Sequence, residues 1–236
     1  VSVRDLLYGL ILLSRNDAAV TLAEAISGTV PRFVALMNRT ADRLGLSNTN
    51  YEDPIGLDGE RQYSSARDLA NLGRILMKMP RFRPIAGART ARLNSLRPPV
   101  EIETGNEFVR DNEWAIGIKT GHTNLAGYIL ASDGRRRATE LIASVMGTSS
   151  EAARDAETVK LMEYGFSLYE KRVPVRSGRP VETVPVRFED RDLPVSSPRP
   201  VRIGVRDGEG LALAIDLPDE VEGPIERGER LGSATV

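Results

Sequence analysis

Residues 119–123 read Lys-Thr-Gly-His-Thr, KTGHT, and they prolong the apolar stretch Ala115-Ile116-Gly117-Ile118. Ala115 to Thr120 reads as a strand. The pentapeptide holds the only His of the chain and one of its four Lys. Its neighbours decide whether it is one wall of an active site or an ordinary strand.

Downstream, Tyr128 to Ala131 pairs naturally with Glu140 to Val145, and Asp133-Gly134 supplies a turn signal between them. Ser150 to Lys171 returns to helical spacing, with Ala152, Ala156, Val159, Met162, Phe166 and Tyr169 on a face that covers one side of the sheet. Upstream, Val100 to Glu103 alternates in the manner of a strand, and the first 80 residues are chiefly helical. Ser2 and Asp5 resemble a capping box with the shorter acid, ahead of Leu6, Leu7, Leu10, Ile11 and Leu13. This helix stops near Ser14. Ser14-Arg15-Asn16-Asp17 favours a turn or cap, and Ala18 to Ile26 follows as a second helix, which puts Ser14 at an inter-helix corner. Pro31 opens a third helix with Phe33, Met37, Ala41 and Leu44 on one face and Gly45 as its stop. After a loop over residues 46–63, Ser65 and Asp68 start a fourth helix, whose stripe is Leu69, Leu72, Leu76 and Met79 before Pro80. From Val173 the texture changes to short Val- and Pro-rich pieces. The expected fold is α+β: a helical region and an antiparallel sheet with flanking helices over residues 1–172, then a small all-β domain over residues 173–236.

Composition narrows the function classes. The chain has 236 residues, with 32 basic and 33 acidic side chains, so no net field favours nucleic acid or an anionic membrane surface. All but four of the basic residues are Arg, a bias that carries no functional weight. With no Cys there is no thiolate nucleophile, disulfide or Cys-ligated metal, and one His makes a His-rich zinc site unsuited to this sequence. No metal and no organic cofactor is expected. No apolar run reaches the roughly 18 residues of a membrane span.

Two short patterns point to chemistry: Ser14-Arg15-Asn16 and Lys119-Thr120-Gly121. Alone, Ser-x-Asn arises by chance about once in a chain this long, and each residue has a plain reading as a helix end, an exposed strand charge or a surface ring. Their order and context change the balance, because a serine-asparagine corner and a Lys-Thr-Gly strand belong together in one serine-acyltransferase signature. Three longer segments, LLSRNDAAVTLAE, FVALMNRTADRLGLSNTNYEDPIGLDGERQYSSARDLA and GIKTGHTNLAGY, resemble successive segments of the D-alanyl-D-alanine carboxypeptidases, the low-molecular-weight penicillin-binding proteins. The resemblance extends from the first residues to about residue 171, and residues 173–236 look like the small β domain of many members. It implies a penicillin-binding, transpeptidase-like fold and a serine-type hydrolase that removes terminal D-alanine from peptidoglycan stem pentapeptides through an acyl-enzyme. It also implies acylation by β-lactams and a place outside the cytoplasmic membrane, often through a tail that these residues do not include.

The residue chemistry fits this role. The Ser14 hydroxyl can accept and donate a proton towards a leaving amine, and the Asn16 amide can bond a substrate peptide group. Lys119 offers a compact positive charge for a carboxylate or for tuning the relay, Thr120 a donor, and Gly121 close approach at the strand edge. By resemblance, the backbone N–H of His122 is half of the oxyanion hole, and its imidazole has no acid or base role. Asp53, Asp58, Tyr63 and Ser65 also recur in the family, and a turn, a loop anchor and a helix cap account for them. Two departures stand out: Ile116 occupies a position commonly Asp, and the Arg often found ahead of the strand has no clear counterpart, Arg110 being the nearest.

In the family, the nucleophile is the Ser of Ser-x-x-Lys, whose Lys is the base. No Ser here has Lys three positions on; Ser64 with Arg67 and Ser132 with Arg135 are near misses, and Arg stays protonated. The chain is therefore expected to be the C-terminal part of a longer enzyme, and inactive alone. The alternatives are a non-catalytic peptidoglycan-binding pseudoenzyme and a β-lactamase, the latter disfavoured because Leu93-Asn94 has Thr90 where a Glu would be needed.

Overall fold

In the computed structural model, which describes residues 1–236, the chain turns its first corner at Ser14. Helix α1 (Val3–Leu13) ends there in a left-handed conformation, φ 56° and ψ 40°, and α2 (Asn16–Ser27) starts two residues later. The Arg15 N–H closes the turn on the Gly9 carbonyl at 3.2 Å, the pattern in which a left-handed residue satisfies the carbonyls left open at a helix end. Helix α3 (Val30–Arg43) opens at Thr29 with Pro31 in its first turn, and Gly45 follows its end at φ 72°. Its stripe of Phe33, Met37, Ala41 and Leu44 lines one apolar groove with Tyr51 and Leu72, and Leu72 belongs to α4 (Ala66–Leu76).

Both short-acid capping boxes are only half formed. The Ser2 and Ser65 hydroxyls accept from the N–H groups of Asp5 and Asp68, as the sequence implies. The two carboxylates go elsewhere. Asp5 accepts from the Ser95 N–H and hydroxyl at 2.7 and 2.6 Å, and Asp68 accepts from the Asn48 N–H and the Thr49 hydroxyl, both at 2.8 Å. Asp is one methylene shorter than the Glu of a full box, and both carboxylates instead anchor distant loops. Hydrogen bonding to Ser95, above all through its hydroxyl, holds the Asp5 carboxyl below its ordinary value.

After the short helix α5 (Arg83–Ala86), strands β1 (Thr90–Leu93) and β2 (Val100–Glu103) pair antiparallel, and α6 (Glu107–Asp111) leads into β3 (Ala115–Thr123). Strands β3, β4 (Gly127–Arg136) and β5 (Thr139–Thr148) form a sheet in that order, so β3 is an edge. The turn between β4 and β5 falls at Arg137-Ala138, with Arg137 left-handed at φ 55°, not at Asp133-Gly134. Gly134 serves packing instead: a Cβ there would lie 2.6 Å from the Trp114 ring and 2.7 Å from Met162. Helix α7 (Glu151–Ser167) follows, and its buried residues are Arg154, Thr158 and Met162. The expected apolar face is thus rotated: Ala152 and Ala156 are exposed, and Tyr169 already belongs to β6 (Tyr169–Val175).

The chain divides into two compact units, one of residues 1–136 with 140–165 and one of residues 137–139 with 166–236. The second unit is built of short antiparallel pairs: β6 with β9 (Val201–Arg206), β7 (Pro180–Pro185) with β8 (Asp192–Ser196), and β10 (Ala214–Asp216) with β11 (Ser233–Thr235). Its core residues include Val175, Val184, Val186 and Val205.

Candidate active site

Ser14 and Asn16 flank the corner between α1 and α2, and both are exposed. Between them, the Arg15 guanidinium is held by Asp17 at 3.0 and 2.8 Å, which fixes the corner from its outer side and occupies the Arg15 charge. A non-glycine residue in the left-handed region costs about 1 kcal/mol, and glycine is the usual solution at this position of a helix end. Ser14 keeps a hydroxyl where the backbone alone favours glycine.

Lys119, Thr120, Gly121 and His122 follow one another along β3 and pair with Ala131, Leu130, Ile129 and Tyr128 of β4. Lys119 is half-buried, and its ammonium donates to the Thr120 carbonyl at 2.7 Å. Burial, and secondarily the positive charge of Arg154, push its pKa down to about 8. Arg154 is itself fully buried and is held by Asp155 at 2.8 Å and Glu151 at 3.8 Å. A Cβ added at Gly121 would meet nothing within 4 Å. Packing within the chain therefore does not demand glycine there, and its absent side chain leaves room beside the sheet edge. The His122 ring stacks on Tyr128, its cross-strand partner, with centroids 3.9 Å apart and 28° between planes.

The two motifs are tied through the core. Met77, Ala86 and Ile118 form a buried cluster against which Ile11, Phe82, Ile116 and Ile142 pack. Ile11 is one turn of α1 before Ser14, and Ile118 directly precedes Lys119. Ile116 stands in this apolar surface, where a carboxylate would be poorly placed. The Gly105 N–H also donates to the Leu12 carbonyl at 2.9 Å, which binds the approach to α6 to the end of α1. Arg110 is engaged with Asp111 at 2.9 Å and Glu107 at 3.1 Å on its own short helix.

The residues read as structural have structural partners. The Asp53 carboxylate accepts from the Ile55 and Gly56 N–H groups in a tight turn, and Tyr63 bridges Asn50 through its backbone. Asp58 accepts from the Leu125 N–H at 3.3 Å, linking the 46–63 loop to the β3–β4 hairpin tip. Sequence reading missed Arg154 as a neighbour of Lys119. Its signal was present in the i, i+4, i+8 spacing of Arg154, Thr158 and Met162, and an arginine is an unusual member of a buried face.

Helices packed with an antiparallel sheet whose edge strand carries Lys-Thr-Gly define an α+β fold shared with solved penicillin-binding proteins. A D-alanyl-D-alanine carboxypeptidase structure from Francisella tularensis, DacD, superposes with a TM-score of 0.69 at 28% identity, covering 99% of this chain and 70% of that one. Penicillin binding protein 5 from Haemophilus influenzae gives a TM-score of 0.66 at 33% identity, covering 99% and 69%. Among curated relatives, D-alanyl-D-alanine carboxypeptidase DacA of Haemophilus influenzae is 38% identical over 195 residues, covering 81% of this chain and 49% of its own length. DacF of Bacillus subtilis is 31% identical over 242 residues, covering 100% and 62%. Residues 1–150 match the D-alanyl-D-alanine carboxypeptidase family, Peptidase S11, and the chain belongs to it. It spans from about half to 62% of the length of these two relatives.

Proposed function

We propose that this chain is the part of a serine-type D-alanyl-D-alanine carboxypeptidase that supplies the proton relay and the substrate-binding edge, and that an upstream Ser-x-x-Lys segment supplies the nucleophile and base. The complete enzyme removes the terminal D-alanine from peptidoglycan stem pentapeptides on the outer side of the cytoplasmic membrane. The reading is supported chiefly by one observation: α1 and β3 are anchored to the same apolar cluster through Ile11 and Ile118.

The substrate lies extended along the free edge of β3, where backbone groups and the space beside Gly121 receive its peptide units. Thr120 and the Lys119 ammonium take its terminal carboxylate, and the Asn16 amide bonds the preceding peptide group. The nucleophilic hydroxyl attacks the penultimate carbonyl while its proton passes through the upstream Lys to Ser14, which delivers it to the departing D-alanine amine. The His122 N–H stabilises the oxyanion that forms and collapses. Water then attacks the ester and returns the free enzyme. Penicillins enter by the same route and stop at the acyl stage.

The test is covalent labelling. The product of the complete coding sequence takes a fluorescent penicillin in a 1:1 ester and releases D-alanine from a pentapeptide, whereas residues 1–236 do neither. Labelling of the isolated chain contradicts the assignment of the nucleophile.

A further inference from the structure

Strand β4 carries an acid where a core side chain belongs. Asp133 is fully buried, and neither of its carboxyl oxygens has a hydrogen-bond partner. It stands opposite Gly117 in the β3–β4 ladder, and Gly117 lies against Met77 and Ala86. Its neighbour Gly134 faces Trp114 and Met162, so alternation aims Asp133 at the other layer, between the sheet and the α4–α5 segment.

Two charged groups face Asp133 from packed elements: Arg83 of α5 and Glu140 of β5. They bond each other through two contacts of 2.8 and 2.7 Å, each side chain about one-third exposed. Arg83 also donates to the Met77 carbonyl at 3.4 Å. Arg135, on the strand of Asp133 itself, acts on Glu140. Strand β3 and the end of α4 present Gly117 and Met77 there, neither of which titrates.

A buried carboxylate without hydrogen bonds is among the most costly groups a protein can hold, and retaining the proton removes most of that cost. Burial is the main cause that raises the Asp133 pKa from 3.8 to about 7; the Glu140 charge pushes the same way, and Arg83 opposes.

We propose that folded protein holds Asp133 as a neutral acid, and that loss of its proton to solvent draws Arg83 from Glu140 to Asp133, making the three side chains a proton-operated latch behind the strand that bears Lys119. Arg83 begins α5, and the glycine that ends α5, Gly87, sits so near the Ile116 carbonyl that a Cβ would lie 2.9 Å from it. Helix α5 has no slack against β3 at that point, so a shift of Arg83 reaches the strand three residues ahead of Lys119. The latch stands whichever reaction the site performs.

The test is carboxyl-carbon NMR of protein labelled at Asp and Glu, titrated from pH 4 to 9, in the parent chain and in Asp133→Asn. One Asp signal titrates near pH 7 and vanishes in Asp133→Asn, and the Glu140 signal moves with the same midpoint in the parent only. If every Asp signal titrates below about pH 5, the proposal is wrong. Between pH 3.8 and about 7 the folded state keeps a proton that the unfolded chain has lost, so stability falls as pH rises through this window and levels off above it. Asp133→Asn flattens that fall and unfolds at higher temperature than the parent at pH 8; a lower unfolding temperature there overturns the proposal. Glu140→Gln tests the same cluster without touching Asp133. It removes the opposing charge and frees Arg83, so the Asp133 midpoint moves to lower pH, and an unmoved midpoint contradicts the latch.

Discussion

Ile11 of α1 and Ile118 of β3 pack into one apolar cluster, so the elements bearing Ser14 and Lys119 are braced against the same core. Removing part of that brace has a graded cost. Ile118→Val lowers stability by about 1 kcal/mol, whereas Ile118→Ala costs about 2 to 5 kcal/mol, because the surrounding side chains only partly fill the cavity. Denaturant unfolding of the isolated chain measures both. Equal and small losses would mean that Ile118 is not a packed residue.

The left-handed backbone at Ser14 makes a sharper prediction. Ser14→Gly relieves the local strain and changes stability by no more than about 1 kcal/mol, with the sign towards stabilisation. In the complete enzyme the same change slows acylation by penicillin at least about 100-fold, the scale of a lost proton-transfer group. Thermal unfolding together with stopped-flow acylation separates the two effects. A variant that is both stable and fully active removes Ser14 from the relay.

Gly121 gives the complementary case. Gly121→Ala meets no atom of the chain within 4 Å, so its unfolding temperature stays within about 2 °C of the parent, as for a surface change of a few tenths of a kcal/mol. If the substrate lies along β3 as proposed, in the complete enzyme the new methyl group stands where its backbone approaches, and KM rises several-fold. Unchanged KM would place the substrate away from this edge.

Lys119 titrates where enzymes are commonly assayed. Burial and the neighbouring Arg154 charge disfavour its ammonium, with a pKa of about 8. In the role proposed for Lys119 the carboxylate-binding form is the protonated one, so substrate affinity falls as pH rises through 8, and Lys119→Arg, which stays charged, moves that limb beyond the alkaline range. Stability changes in the opposite sense. Between pH 8 and 10.5 the folded chain has released a proton that the unfolded chain still binds, so stability rises across that interval. Lys119→Met abolishes the rise, as a series of denaturant melts from pH 7 to 10.5 will record.

Much of this was legible in the sequence, because helix ends and alternating strands are written in local chemistry. Ser2, Pro31, Ser65 and the stop at Ser14 follow from helix-end chemistry alone. What escaped depends on contacts between distant residues. Asp133-Gly134 has the composition of a turn, yet β4 runs through it, since Gly134 is required by the Trp114 ring and Asp133 points into the core. Asp5 and Asp68 look like members of their own capping boxes, but their oxygens are taken by Ser95 and by Asn48 with Thr49, which local sequence cannot name. The buried face of α7 was misjudged for a related reason. Arg154 and Thr158 are polar by type, yet both are buried, because the Arg154 charge is satisfied by Asp155 beside it and Thr158 donates to the Arg154 carbonyl. At the candidate site, Ser14, Asn16 and the Lys119–Gly121 run were named from two short motifs and the longer family-like segments around them, and His122 from the resemblance alone, whereas the stacking of His122 on Tyr128 follows from a register that only the paired strands define.

In the enzyme proposed above, the Ser14 corner and the Lys119 strand work on one substrate as one unit. A double-mutant cycle on acylation of the complete enzyme by penicillin measures this directly, using Ser14→Ala, Lys119→Ala and the pair. If the claim holds, the double variant is little slower than the slower single variant, because either loss already disables the shared relay. If the two rate losses multiply, the residues act independently and the single-site account is contradicted.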